Sequence, residues 1–559
     1  MKIAKFLDNI DQMNLSLVEQ DGQLVLKGNK ERLDAREIKL IRENKEMIDF
    51  IKENKQEIIT HLQTKTTVKE TINDTRAANI SALYPLSPLQ EGMLFHSLYQ
   101  DVAGAYINQM VCDFWDLDIA AFQKSWDYLL TQHTILRSSF FFETLSMPLQ
   151  GVHQKVSVPI HVEDLQLLSV EEQASRIKQF KQKDQLAGFD LKVAPLMRIH
   201  LFQLGKKHYR MIWTHHHILI DGWSTPIIIG KLLRAYEKLV KGEKLPEERE
   251  DRFEDYIRYI ENKDRHAQLA FWKSYLADLD GPTTLPFIQA SSSKGQASDS
   301  RRILVRLSST LQSHIATIAQ QYHLTTSTIM QGAWAYLLSR YTGKNSVVFG
   351  VTVSGRPFEL VAADERVGLY INSIPLHGQL KANPTIASWL QELQKAHSQS
   401  REYQHTPLID IQQQQGVKQA LFDSLMVFEN YPSGDEMLQG LSIKAQMLDE
   451  EQRTNYPLTI TIMPGEELLM EYTYNASLLS PKAIEIIKED FLQVLSEISQ
   501  KIDQPLSSID VLTENTQQQL LDQGQGPIQA SVLEETLLSS FTHTVATHSN
   551  AIALVEGEQ

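Results

Sequence analysis

The stretch Trp213-Thr214-His215-His216-His217-Ile218-Leu219-Ile220-Asp221-Gly222-Trp223-Ser224 sets three histidines between an apolar run and a turn. Met211 and Ile212 lead into it, which predicts a buried strand. Side chains alternate faces along a strand, so His215 and His217 are expected on one side and His216 on the other. Asp221-Gly222 signals a turn. Ser224 is then expected to cap a helix with an apolar stripe through Ile229, Leu232, Leu233, Tyr236 and Val240. A histidine thus stands at the end of a strand, just before the tight turn that opens a helix. Chemistry is often placed at such a junction. Two other readings stay open on these residues alone. Histidines on a strand are often core and turn residues that only find hydrogen bonds. A zinc site is the third reading, although adjacent histidines on a strand point apart and no cysteine lies nearby.

With 559 residues the chain exceeds one ordinary core, and length alone points to about three or four domain-sized units. Its 42% hydrophobic and 22% charged residues match a globular protein. A net charge of −15 argues against a general nucleic-acid or anionic-membrane binder. The single cysteine, Cys112, excludes an internal disulfide and fits a reducing compartment. Charge arrives too early after Met1 for a signal peptide, and no apolar run has the length of a membrane span. The expected location is the cytoplasm.

Residues 1–63 read as a separate small unit. Ile3, Phe6, Leu7 and Ile10 make a short amphipathic helix. Leu15, Leu17 and Val18 form a strand, Asp21-Gly22 a two-residue turn, and Leu24 to Leu26 the return strand. Asp34 and Glu37 start a further helix that Asn44 can restart, with an apolar face from Ile41 to Leu62. The order αββα(α) resembles the β-hairpin docking domains that precede condensation domains in nonribosomal peptide synthetases; a structural cap on the next domain is the plainer alternative. Residues 64–82, rich in Thr, Asn and Ala, read as a linker.

From Leu83 onward a series of blocks resembles those condensation domains in the family's own order. Tyr84-Pro85-Leu86-Ser87-Pro88-Leu89-Gln90-Glu91-Gly92-Met93 looks like the opening motif, and Ser87-Pro88 caps and starts a helix on chemistry alone. His133-x-x-Leu136-Arg137 and Pro148-Leu149-Gln150 follow. His216-His217-x-x-x-Asp221-Gly222 is similar to the HHxxxDG signature. Phe253-Glu254-Asp255-Tyr256, Phe271-Trp272, Ser354-Gly355-Arg356-Pro357, Val367-Gly368-Leu369-Tyr370-Ile371-Asn372, Tyr403-x-His405-Thr406-Pro407 and Phe422-Asp423-Ser424 complete the series.

The resemblance implies an α/β (α+β) fold of two chloramphenicol-acetyltransferase-like lobes set in a V, about 83–260 and 261–512, with the active site in a tunnel between them. It implies amide-bond formation between an upstream carrier-bound aminoacyl or peptidyl thioester and the amine of a downstream carrier-bound aminoacyl thioester. Both substrates would come on phosphopantetheine arms of donor and acceptor carrier domains, and no cofactor or metal is expected on this chain. His217 is the expected acid–base and positioning residue, and His216 is expected to point away and satisfy a backbone carbonyl. The Gly222 N–H is a candidate oxyanion donor. Asp221 is expected to pair structurally with Arg356, and Trp223 to pack the turn. An epimerization domain and an inactive carrier-recruiting scaffold are the rival readings; a heterocyclization domain typically carries an aspartate where His216 stands.

Residues 513–531 read as a polar linker. The segment 532–559 resembles the opening of an adenylation domain and stops before any nucleotide-binding motif, so the chain is expected to be part of a longer synthetase. At the other end, Gln23, Leu24, Val25, Leu26 and Lys27, with Lys30 and Arg32 behind them, are the candidate docking residues for the C-terminal tail of an upstream subunit. Between Lys27 and Lys45 seven basic residues face four acidic ones, a positive surplus inside an acidic chain. The alternative is a solvated helix face.

Overall fold

The computed structural model describes residues 15–20, 23–28, 79–99, 104, 106–142, 147–288, 300–380, 383–417, 419–430, 443–451, 454–524 and 536–551. At the N-terminus, β1 (Leu15–Gln20) runs antiparallel to β2 (Gln23–Gly28), with Gln20 opposite Gln23. That register leaves two residues for the connection, as Asp21-Gly22 predicts. Gln23 to Lys27 therefore lie on β2, whereas Lys30, Arg32 and the expected flanking helices lie outside the described residues.

The next seven strands are β3 (Ile80–Pro85), β4 (Ile107–Trp115), β5 (Ser138–Phe141), β6 (Leu149–His153), β7 (Ile160–Asp164), β8 (Met197–Gly205) and β9 (His208–His216). β3 begins at Ile80 and pairs with β6 as far back as His153, so the end of the expected linker belongs to a sheet. Apolar Ile80 and Leu83 are half-buried there, which a reading by composition alone overlooks. β3, β6 and β5 make a three-stranded sheet. β4, β9 and β8 are antiparallel, and β7 adds parallel to β8. The helices Ile119–Gln132 and Ser224–Val240 pack on one another and on this sheet. Ile228, Ile229, Leu232, Leu233 and Tyr236 recur at helical spacing and are buried, while Val240 ends the stripe in solvent.

The second half supplies β10 (Ser300–Arg306), β11 (Ser346–Val353), β12 (Asn372–Gln379), β13 (Ser424–Phe428), β14 (Lys444–Glu451), β15 (Leu458–Met463) and β16 (Leu469–Asn475). Six of them form a mixed sheet in the order β10-β16-β15-β13-β11-β12. The helix Thr326–Thr342, buried on nearly every side, packs between that sheet and the helix Pro481–Gln500. Mixed α/β lobes thus appear in both halves, as expected.

The halves also exchange chain. β14 leaves the second half and pairs with β4 at the edge of the first sheet, from Lys444 opposite Trp115 to Glu451 opposite Gln109. Val367, Leu369 and Tyr370 are likewise buried in the first core. A cut near residue 260 divides the sequence but not the packing. Near the C-terminus, the stretch read as a linker carries the helix Glu514–Gly524, started by Thr513 and braced by Gln518 on Asp522. Its Leu520 and Leu521 are exposed, which is why the stretch reads as polar connection. Among the described residues, no helix is long and apolar enough to cross a membrane.

Among the described glycines, Gly355 has the tightest surroundings. Its φ is +59°, and a Cβ there would lie 1.8 Å from the Tyr370 carbonyl oxygen. Gly416 has a similar φ of +67° with open space around it. Gly416→Ala should cost only the left-handed backbone, about 1–3 kcal/mol. Gly355→Ala should cost clearly more, since backbone must also move. Urea unfolding of the two variants checks this; equal losses would remove the close approach at Gly355 from the account.

Candidate active site

The loop after β9 is held almost atom by atom. The His217 N–H donates to the Tyr106 carbonyl at 2.8 Å, and the Leu219 N–H to the His216 carbonyl at 3.1 Å. The Ile218 N–H donates to His216 Nδ1 at 3.1 Å. His216 therefore accepts from an N–H rather than donating to a carbonyl, contrary to expectation. The chain turns immediately after His216, which brings the amide two residues on over its ring. Alternation of faces ends there too, because His217 is already beyond the strand.

His217 Nδ1 lies 2.6 Å from the Ile220 carbonyl oxygen. A carbonyl only accepts, so Nδ1 carries the proton and Nε2 carries the lone pair. All three histidines are buried. Burial, with repulsion from its histidine neighbours, pushes His215 and His216 down to about 3. Burial also holds His217 below its ordinary value, opposed in part by the Ile220 carbonyl and the Asp221 charge. The ring at the end of the strand is thus neutral at physiological pH, with one defined nitrogen able to accept a proton.

Asp221 is bound on every side. Its Oδ1 accepts from the Ser224 N–H at 2.9 Å, from the Ser224 hydroxyl at 2.7 Å and from Arg356 Nη2 at 3.1 Å. Oδ2 accepts from the Tyr370 N–H at 3.0 Å, and the Asp221 N–H donates to the Gly368 carbonyl. Arg356 Nη1 closes its own loop on the Ala363 and Arg366 carbonyls, each at 2.7 Å, and the guanidinium lies over the Tyr370 ring. The expected pair between Asp221 and Arg356 is present, with both side chains buried. Ser224 is not the helix cap: Trp223 occupies that position, and the Asp221 carboxylate takes the Ser224 N–H instead. Serving the arginine and the Tyr370 amide as well, that carboxylate outcompetes a hydroxyl for the role. Trp223 packs the turn and donates to the Asp364 carbonyl. Gly222 is half-buried, two residues before the helix begins.

Other motif residues converge behind the loop. Gln90 and Gln150 are fully buried; Gln90 Nε2 donates to Gln150 Oε1 at 2.9 Å and to the Ile218 carbonyl at 3.1 Å. His133 Nδ1 meets Asp251 at 2.9 Å, Arg137 pairs with Glu250, and Asp251 accepts the Val367 N–H. Sequence alone singles out neither Glu250 nor Asp251, and it gives Gln90, Gln150, His133 and Arg137 a place in the motifs but no task. Their signal is polar side chains inside apolar, helix-starting or strand-forming runs. Among the described residues, no three His, Cys, Asp or Glu side chains come together to hold a metal ion.

Asp221→Ala and Arg356→Ala should each lower unfolding free energy by about 3–5 kcal/mol, since each leaves a buried charge without its partner. Denaturant unfolding of the two variants measures this. Wild-type stability in both would exclude a structural role for the pair.

Residues 80–521 match the family model of the condensation domain. Tyrocidine synthase 2 of Brevibacillus parabrevis is 36% identical over 449 residues, covering 79% of this chain and 12% of that relative. Surfactin synthase subunit 3 of Bacillus subtilis is 32% identical over 457 residues, covering 81% of this chain and 36% of that relative. The chain thus spans a small part of the curated relatives it matches. A solved four-domain nonribosomal peptide synthetase bound to AMP and glycine aligns with a TM-score of 0.68 at 18% identity, over 84% of this chain and 37% of that one. Motifs, fold and these matches agree from β3 to the helix after residue 513, and the chain belongs to the condensation-domain family of nonribosomal peptide synthetases.

Proposed function

We propose that this chain forms an amide bond between an upstream aminoacyl or peptidyl thioester and the α-amine of a downstream aminoacyl thioester, with His217 at the reacting centre. One observation carries the reading: a buried neutral imidazole whose Nδ1–H is tied to the Ile220 carbonyl, leaving Nε2 as the proton acceptor. An α-amine has a reference pKa of about 7.7–8, so much of it is already neutral near physiological pH. Attack on the thioester carbonyl gives a zwitterionic tetrahedral intermediate, from which Nε2 removes the ammonium proton; its collapse breaks the C–S bond, and the departing donor thiolate takes that proton to leave as the free thiol. General-base help of this kind is worth on the order of 10²–10⁴ in rate. Holding the amine within reach contributes several kcal/mol besides. The Gly222 N–H, near the positive end of the helix Ser224–Val240, is the candidate donor to the oxyanion. Asp221 and Arg356 hold the loop and touch neither substrate. The substrates arrive on the phosphopantetheine arms of donor and acceptor carrier domains.

A single-turnover assay with loaded donor and acceptor carriers tests the reading. Wild type should give the condensed product; an inverted stereocentre would instead mark an epimerization domain, and no product a recruiting scaffold. His217→Ala should fold normally and lose product formation by about 10²–10⁴-fold. Undiminished condensation in that variant would take His217 out of the mechanism.

The depressed pKa fixes the sign of a second test. A ring whose pKa lies below the ordinary histidine value near 6.5 remains mostly neutral as pH falls from about 8 to 6.5. Histidine NMR, with His217 assigned by difference against His217→Ala, should show no protonation midpoint at or above about 6.5. A midpoint in that range would mean a solvated ring.

Residues 1–63 are proposed to dock the C-terminal tail of an upstream subunit, the tail adding as a strand beside β2. Support comes from the two-stranded hairpin, whose outer edges pair with no other strand among the described residues, and from the basic surplus that follows it in the sequence. The downstream partner is proposed to be an adenylation domain continuing from residue 532. Deleting residues 1–63 should leave condensation from free carriers intact and abolish transfer from the native upstream subunit. Charge reversal at Lys27 and Lys30 should weaken tail binding in a salt-dependent way. Full transfer after the deletion would exclude docking by this unit.

A further inference from the structure

Behind the His217 loop lies a chain of buried amide hydrogen bonds in which each carboxamide has one allowed orientation. Gln90 Oε1 accepts the Ser87 N–H at 2.8 Å. That bond settles which way the carboxamide faces, because a backbone N–H can only donate. Gln90 Nε2 therefore points at two acceptors, Gln150 Oε1 and the Ile218 carbonyl. Gln150 is fixed in turn, because Gln90 Nε2 can only donate and so must face its Oε1, which leaves its own Nε2 to donate to the Tyr84 hydroxyl at 2.9 Å and to Ser138 Oγ at 3.0 Å. Both glutamines are fully buried. Ile218 sits between His217 and Ile220, the residue whose carbonyl holds the imidazole Nδ1–H. Its own N–H is bound to His216, so the Ile218 peptide units are held from both sides, by the histidine strand in front and by Gln90 behind.

We propose that Gln90 is a positioning residue for the reaction: by anchoring the Ile218 carbonyl from the helix Pro88–Tyr99, it keeps the Ile220 carbonyl on His217 Nδ1 and so keeps Nε2 free of its proton. This rests on the reading of His217 as the proton acceptor. Gln90 touches neither substrate nor the imidazole; it acts through the loop. Its anchor is stiff, since Ser87 and Gln90 close a reciprocal cap at the start of that helix, with the Gln90 N–H on Ser87 Oγ. Removing the carboxamide leaves the Ile218 carbonyl buried without its partner, and the turn is then free to rotate that peptide toward another donor. Any such rotation moves the Ile220 carbonyl two residues on and releases the Nδ1–H.

Gln90→Met keeps the length of the side chain and removes the bonds. Two readouts are taken on the intact chain. Histidine ring nitrogen NMR, assigned against His217→Ala, reports which ring nitrogen holds the proton. Single turnover with loaded carriers reports the rate. Wild type should show His217 as the Nδ1–H form alone. Gln90→Met should show an Nε2–H fraction and a turnover reduced roughly tenfold to a hundredfold, as expected for loss of alignment. Gln150→Met leaves Gln90 its bonds to Ser87 and Ile218, and should shift both readouts the same way by less; it carries the test if Gln90→Met does not fold. A folded variant of lower stability with the wild-type tautomer would overturn the proposal, because a purely structural glutamine does just that. If wild type forms no product, the functional reading fails, while the tautomer measurement still decides whether Gln90 holds the ring.

Discussion

Asp221 and Arg356 are 135 residues apart in the chain, and their side chains meet where water reaches almost nothing: the carboxylate is 0% exposed and the guanidinium 7%. Taking two charges out of water costs several kcal/mol for each, so such a pair persists only if hydrogen bonds fill the remaining positions. Here they do. The carboxylate also serves the Ser224 amide and hydroxyl and the Tyr370 amide, and the guanidinium serves the Ala363 and Arg366 carbonyls. What results is a clasp. It joins the turn after β9, the start of the helix Ser224–Val240 and the segment 355–370, and each of these would lose its place without it. Gly355 follows from the same constraint, since only a residue without Cβ lets Arg356 approach past the Tyr370 carbonyl.

The clasp and the histidines have opposite electrostatic characters, and the site depends on the difference. Asp221 is charged and fully compensated; the three histidines are neutral because burial disfavours their charged forms. A buried neutral histidine lowers stability as pH falls, because the unfolded chain takes up a proton near pH ~6.5 that the folded chain refuses. The cost appears below that pH and grows toward the folded values. At physiological pH it is absent, and the ring has the protonation state that accepting a proton requires.

Much of this was legible in the residues. The apolar run at Met211 to Trp213, the turn at Asp221-Gly222 and the stripe from Ile229 to Tyr236 each became the element predicted, because periodicity records burial directly. The hairpin register followed from two turn residues, and the pairing of Asp221 with Arg356 followed from family resemblance. Three things did not follow. The exchange of β14 into the first sheet is a long-range pairing that leaves no local trace. The cap at Ser224 went to Asp221, because local propensity cannot see an arginine arriving from the other half. Gln90 and Gln150 were visible only as polar residues within motifs; what they bind is set by the packing of β6 and the helix Pro88–Tyr99 against the loop.

One ion pair between the halves holds the reaction loop, and a double-mutant cycle measures whether its two groups act together. Unfolding free energies are measured for wild type, Asp221→Ala, Arg356→Ala and the double variant. If the two groups act on each other, removing the second after the first costs little, and the coupling energy is about as large as one single loss, about 3 kcal/mol or more. Losses that simply add would mean that Asp221 and Arg356 stabilise the fold independently, which contradicts the account.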